Sequence, residues 1–328
     1  MRFLLTTEQR DFAASLDAML TAAGTPSVVR SWSAGDRAPG RALWSRLADA
    51  GLFALAVPET YEGVGPLPVE LAAAFVELGR HTVPGPLVEM VAACALLAGL
   101  SDPGPAKRLL PGVVSGETMV TVGAPYALDG DAADLVLTVE GERLRLTSAA
   151  QEGPPRERPG ARSSLDPARR LTLPSSGGEL LSGTPAPEAF TYARLTTAAQ
   201  ALGVGLALLD RTVAYVGQRH QFGVPVGSFQ AVKHQLAEAM VGLEFARPLV
   251  FGAAVTLDPV DVAAAKVAAC EAAYAAARTA LQLHGAIGYT AECDLSLWLT
   301  KARALRTAWG SPSECRAAVL GDGGLPRE

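Results

Sequence analysis

The chain has 328 residues, 49% apolar and 19% charged, enough to bury a sizeable core in two or three domains and too apolar for a disordered polymer. A formal net charge of −5 argues against a protein that coats nucleic acid. Four scattered cysteines (Cys94, Cys270, Cys293 and Cys315) with no CxxC pair argue against a disulfide framework or zinc ribbon and suit a reducing cytoplasm.

No single apolar run reaches the ~18 residues of a membrane span, and the start MRFLLTTEQRD turns polar too soon for a signal peptide. Neither a membrane nor a nucleic acid is therefore expected as a partner. The first ~115 residues carry helical periodicity. Thr6 and Gln9 have capping-box spacing, and Phe12, Leu16, Met19 and Leu20 follow at helical intervals. Further helices are predicted over 40–50, 68–79 and 86–97, with the Pro- and Gly-broken connector LFALAVPETYEGVG after the first of these. From about 117 to 183 the pattern changes to strands: MVTVG, ADLVLTV, ERLRLTS and RLTLP, separated by the loop QEGPPRERPGARSS. From about 188 onward long helices return, over 191–219, 228–256, 258–283 and 294–309. Asp258 with Pro259 and Asp294 are placed as N-caps, and Ser311-Pro312-Ser313-Glu314 opens a last short helix. The predicted fold is mainly α with a small β domain: a helical domain over 1–116, a reduced β domain over 117–187, and a helical bundle over 188–328.

Conventional catalytic signatures are missing. His81, His220, His234 and His284 show no second ligand at metal spacing, and there is no GxSxG elbow, Walker loop or strand-borne GxGxxG. Two stretches combine a cation or amide, glycine backbone and an aromatic ring: RHQFGVPVGSFQ from Arg219 to Gln230, and QLHGAIGYT from Gln282 to Thr290. Such groups can hold a phosphate and a flat heterocycle. On spacing alone the plainer reading, with Gly223 and Gly285 as helix C-caps and Phe222 as core, is preferred.

RHQFGVPVGSFQAVKHQLAEAM closely resembles the R-x-x-F-G-x-P-[IV]-G-x-F-Q motif of the acyl-CoA dehydrogenases. QLHGAIGYTAECDLSLWL resembles their Q-x-x-G-G-x-G-[YF]-T-x-E motif, with Ala286 at the second glycine. LADAGLFALAVPETYEGVG resembles their N-terminal V-P-E-x-Y-G-G-x-G signature, with Glu62 at the first glycine. The resemblance spans nearly the whole chain and implies a helical domain, a β domain and a C-terminal four-helix bundle that makes the oligomer interface.

It also implies FAD bound across a dimer interface, with Arg219, Phe222, Phe229, Gln230, Gln282, Gly285 and Ala286 reaching into a neighbouring subunit's flavin site. An arginine fork suits a pyrophosphate. The family's base is a glutamate at one of two positions, which fall here on Trp309 and Ala193. Neither accepts a proton, so no catalytic residue is assigned. Glu188 is the nearest upstream carboxylate; Glu292, Glu314 and Glu244 read as surface or capping residues. The T-E-P-x-x-G-S-D segment of the family's β domain is also absent. The resemblance thus implies one subunit of a heteromeric enzyme, paired as α2β2 with a longer homologue that carries the base and acting on a bulky acyl-CoA such as a steroid side chain. Two alternatives stand beside it: a self-sufficient homo-oligomeric flavoenzyme with a displaced base, and a non-catalytic, flavin-free acyl-CoA-binding homologue.

Overall fold

The computed structural model describes residues 4–141, 143–148, 161–162, 164–174, 177–181, 186–290 and 292–321. Most of the loop QEGPPRERPGARSS lies outside them. The chain folds as two compact units, one of residues 23–71 and 83–193, the other of 1–22, 72–82 and 194–328.

The first of these carries the sheet. Its helices are α2 (Thr25–Ala34), α3 (Ala38–Asp49), α5 (Leu87–Ala98) and α6 (Gly104–Val114). Helices α2 and α6 are not among the helices predicted from the periodicity; both have glycine and proline in or beside their first turn. Gly24 adopts a left-handed conformation before α2, and Pro26 sits in its first turn. Val28, Val29 and Trp32 bury one face of α2, which packs on α3. The connector between α3 and the next helix makes two 3-10 turns, Phe53–Ala56 and Glu59–Tyr61. A Cβ at Gly63 would stand 1.8 Å from the Val57 carbonyl oxygen and one at Gly65 2.2 Å from that of Leu55. Both glycines are therefore required by close backbone approach. Glu62 sits beside them in the left-handed region at φ 69°, a conformation glycine adopts at less cost.

Seven short strands form one sheet in the order β5-β6-β2-β1-β3-β4-β7. They are β1 (Val120–Gly123), β2 (Ala127–Leu128), β3 (Leu135–Glu140), β4 (Arg143–Ser148), β5 (Ala161–Arg162), β6 (Leu171–Thr172) and β7 (Glu179–Leu181). Among these seven strands of the described residues, β1 and β3 pair in parallel and the others antiparallel; β3 and β4 form the longest ladder, Leu135↔Ser148 to Glu140↔Arg143. Strands β2 and β7 lie in segments to which the sequence assigned no element, and β5 corrects the reading of its segment as loop: Ala161 and Arg162 pair with β6. Asp131, nearly sealed from solvent, anchors Arg37 and Arg170, and Arg41 pairs with Asp134 at 2.8 Å.

The second unit is helical: α1 (Thr7–Ala22), most of α4 (Pro68–Arg80) and α7 (Glu188–Gln218), α8 (Gln230–Thr256), α9 (Pro259–His284), α10 (Leu295–Thr307) and α11 (Pro312–Leu320). The Thr6 and Gln9 capping box forms as its spacing requires. Asp258 caps α9 by accepting from the Val260 and Asp261 amides at 2.8 and 3.2 Å. Asp294 stands at the N-cap of α10, but its side chain makes no capping bond. The alanines of α9 let α8 and α10 approach closely, and Ala263, Ala269, Ala273 and Ala280 are buried. By length and composition α8 could cross a membrane, although no uninterrupted apolar run in it reaches that length; it packs on α9.

Candidate functional site

After α7 the chain makes a hairpin, β8 (His220–Gln221) with β9 (Val224–Pro225), closed by Phe222 at φ 53° and Gly223 at φ 80°. This left-handed pair is the turn a two-residue hairpin favours. Gly223 is thus a hairpin residue and not a helix C-cap, and Phe222 is not core: it is 93% exposed and meets Phe229 edge-on at 6.3 Å. The Val226 amide donates to the Arg219 carbonyl at 2.7 Å and fixes the base of the hairpin. Phe229 is the extended N-cap residue of α8 and Gln230 its first residue. The side chains of Arg219, Phe222, Phe229 and Gln230 therefore lie on one exposed turn, and the Arg219 guanidinium has no ion-pair partner among the described residues.

Gln282, Gly285 and Ala286 come together elsewhere on the same unit, at the C-terminal end of α9. They line a groove of about 690 Å3 with Gln235 of α8, Arg278 and Tyr289. That volume falls within the range of small-molecule and cofactor sites. The hairpin residues do not line it. Gly285 does cap α9, at φ 64° and with its amide donating to the Leu281 carbonyl; a Cβ there would meet nothing within 4 Å, so its backbone faces open space. Beneath it His284 is buried and stacked on Tyr215 at 4.2 Å, and its Nδ1 lies 2.8 Å from the Ala280 carbonyl. Burial pushes its pKa down, which favours the neutral ring with Nδ1–H donating. Arg278, Gln235 and Tyr289 were not singled out from sequence. Arg278 reads there as one charge in an alanine-rich helix, yet it lies one turn before Gln282 and so shares its face.

Position 309 lies on a turn after α10. Trp309 is half-buried at φ 56°, followed by Gly310 at φ 124°. The Arg194 Nε donates to the Trp309 carbonyl at 3.1 Å; the buried Lys266 Nζ donates to the Gly310 carbonyl at 2.6 Å and the Arg306 carbonyl at 3.4 Å. Ala193 is buried within α7, and Glu188 is exposed at its first residue. Glu314 holds the capping box of α11 through the Ser311 amide and hydroxyl, which keep its carboxyl below the usual range. Glu244 pairs with Arg247 at 2.9 Å, and Glu292 is exposed.

One cluster escaped the reading of the histidines. Asp17, Glu77 and His81 bring their ligand atoms within 4.8 Å of one another. Glu77 on α4 and His81, the residue just after it, are four residues apart, with the His81 amide donating to the Glu77 carbonyl at 3.1 Å; the spacing is visible in the sequence. His81 bonds Asp17 at 2.8 Å, and Arg80 flanks Glu77 at 3.6 Å. Burial raises the Glu77 carboxyl to about 7, partly offset by Arg80.

The arrangement at the hairpin and groove fits a flavin dinucleotide: an unpaired guanidinium, an exposed aromatic ring, amide side chains and a glycine whose backbone a ligand can approach. Residues 6–117 match the N-terminal domain of acyl-CoA dehydrogenases and residues 184–323 their C-terminal domain. The chain is 34% identical over 294 residues to acyl-CoA dehydrogenase IpdE2 of Mycobacterium tuberculosis, covering 88% of this chain and 89% of that one. Among solved structures it is similar to the ChsE4–ChsE5 complex of M. tuberculosis, at a TM-score of 0.81 and 25% identity over 97% of this chain and 98% of that one. It also resembles a variant of the Tcur3481–Tcur3483 steroid ACAD, at a TM-score of 0.79 and 24% identity over 95% and 96% of the two chains.

Proposed function

The chain belongs to the acyl-CoA dehydrogenase family, whose cofactor is FAD, and from that premise we propose that it is one subunit of a heteromeric acyl-CoA dehydrogenase. In this reading it lends a flavin half-site to a longer homologue that carries the catalytic glutamate, in a cytoplasmic α2β2 assembly. The observation that carries the proposal is an imbalance. The exposed hairpin and the groove offer Arg219, Phe222, Phe229, Gln230, Gln282, Gly285 and Ala286 outward, whereas positions 193 and 309 offer an alanine and a tryptophan. The similarity to the ChsE4–ChsE5 complex supports a two-chain arrangement. The reading divides the chain into 1–116, 117–187 and 188–328 and assigns the half-site to the last of these.

When bound, FAD accepts the hydride that leaves the β-carbon of the acyl thioester. The residues of this chain bind and orient. Arg219 provides a planar fork for a phosphate. A phenylalanine in full contact with water gains by burial, on the order of 2 kcal/mol, so Phe222 favours insertion into a neighbouring surface. Removing the α-proton requires a base within hydrogen-bond reach. Trp309 has only an indole N–H donor, so that step falls to the longer homologue. The substrate class proposed is a bulky acyl-CoA such as a steroid side-chain thioester.

The test is expression of the chain alone and together with a longer homologous dehydrogenase subunit. Yellow protein only on co-expression, with Arg219→Ala lowering flavin content more than the melting temperature, is the expected outcome. A stable yellow homo-oligomer that dehydrogenates an acyl-CoA when purified alone would refute the heteromeric reading.

A further inference from the structure

We infer that Asp17, Glu77 and His81 form a binding site for a divalent metal ion of the zinc class, which ties α1 to the end of α4. None of the three belongs to the hairpin or the groove, and all lie within the helical unit. Asp17 comes from α1 and Glu77 from α4; His81 follows α4 with its amide still on the Glu77 carbonyl, so the Glu77 and His81 side chains leave the same face of one helical turn. The three ligand atoms lie within 4.8 Å of one another, and His81 Nε2 stands 2.8 Å from Asp17 Oδ1. Two ligands bound at about 2.0–2.1 Å stand about 2.9 Å apart at a right angle and about 3.3 Å apart in a tetrahedron. The imidazole and Asp17 are thus already near the spacing of adjacent ligands, and the rotatable bonds of Glu77 close the rest.

The trio differs from a patch of surface acids in two ways. It contains an imidazole, the commonest metal ligand, and Glu77 is a carboxylate taken largely out of water with no donor to replace the water. The Glu77 and His81 side chains are each 16% exposed. The Glu77 carboxylate accepts no hydrogen bond among the described residues; Arg80 stands off at 3.6 Å and is itself engaged by Asp210 at 2.9 Å. Arg247, the next cation, pairs with Glu244 at 2.9 Å. A carboxylate in such a position ordinarily has hydrogen bonds or a close charged donor. A divalent ion would neutralise Glu77 and Asp17 together. The site also lies at the C-terminal end of α4, where the helix dipole favours positive charge. One imidazole nitrogen and two carboxylate oxygens leave a fourth position for water, the arrangement of three-ligand zinc sites. Calcium and magnesium ask for about six or more oxygens, which this trio does not offer. Asp17, half exposed, leaves the outer side open for the ion to enter.

The experiment uses the full chain, stripped of metal with a chelator, alone if it is soluble and otherwise in the co-expressed assembly, with substitutions confined to this chain. Zinc is titrated by calorimetry at pH 8, where Glu77 is ionised; cobalt(II) serves as a spectroscopic probe, and magnesium and calcium as controls. His81→Gln and Asp17→Asn each remove a ligand. The asparagine keeps a hydrogen-bonding group beside His81 at a half-exposed position, so it carries the test if His81→Gln loses its helical signal. Wild type should bind one zinc per copy of this chain, melt about 5–10 °C higher at a hundredfold excess over Kd, and give the visible d–d bands of cobalt in a nitrogen and oxygen site. Each variant should bind that zinc at least about tenfold more weakly, since loss of even an outer-shell partner costs that much. Magnesium and calcium should leave all three proteins unchanged. Equal zinc constants in wild type and a folded variant, no zinc bound by wild type, or a cobalt–thiolate charge-transfer band in place of the expected spectrum would each overturn the site.

Discussion

Replacing Gly203 by alanine should destabilise the helical unit, although the same change in an ordinary helix is stabilising. Alanine exceeds glycine in helix propensity by about 1 kcal/mol and restricts the unfolded chain. Gly203 lies where α7 crosses α4, and an added Cβ would stand 1.9 Å from the Val76 carbonyl oxygen and 2.9 Å from the Arg80 amide nitrogen. The contact is reciprocal, since a Cβ on Gly79 would stand 2.0 Å from the Gln200 carbonyl oxygen. These are backbone atoms of regular helices and cannot rotate away. The helices must separate, and overpacking of this kind costs roughly 3 kcal/mol. Set against the propensity gain, the net loss is about 2 kcal/mol, or about 4–8 °C in melting temperature for a cooperative unit of this size. Gly217 provides the control within the same helix: a Cβ there meets nothing within 4 Å, so Gly217→Ala should raise the melting temperature slightly. Thermal unfolding followed by far-UV circular dichroism reads both. Should Gly203→Ala melt at or above wild type, the close crossing of α4 and α7 is wrong.

Glu77 makes stability pH-dependent. Its folded pKa of about 7 exceeds the ordinary 4.5, so between those values the folded protein holds a proton that the unfolded chain releases, and stability falls as pH rises through this window. Glu77→Gln should flatten that slope and stabilise the protein at pH 8 by on the order of 2–3 kcal/mol; denaturant titrations at pH 5 and pH 8 that show the same slope in both proteins would contradict it. Ser311→Ala removes the hydroxyl half of the α11 capping box, leaving the residue-311 amide on Glu314, and should cost about 1 kcal/mol, read as a lower urea midpoint at unchanged m-value.

The sequence disclosed long periodic elements and hid short or punctuated ones. All seven helices of the helical unit were legible in the sequence, and α1, α9 and α11 most sharply, because their caps are explicit in Thr6, Asp258 and Ser311. Helices α2 and α6 were hidden because glycine and proline at their starts mimic loop signals, while their buried residues become meaningful only beside α3 and α5. Strands β2, β5 and β7 span two or three residues, too few to establish a period. At the candidate site, the motif glycines and aromatics were legible as a group. The exposure of Phe222 was not, since hydrophobicity alone assigns a phenylalanine to the core. Arg278 was invisible for the opposite reason: an arginine on an amphipathic helix looks like solvation until its neighbours leave it unpaired.

The turn at Trp309 has a consequence for what this position can tolerate. Both cations that hold it, Arg194 and Lys266, grip main-chain oxygens and make no demand on the indole. The path of the chain at this bend is therefore specified by residues remote in sequence, which grip the carbonyls of two successive residues, 309 and 310, both with positive φ. A replacement at position 309 must first accept that left-handed backbone, and glycine would adopt it at the least cost.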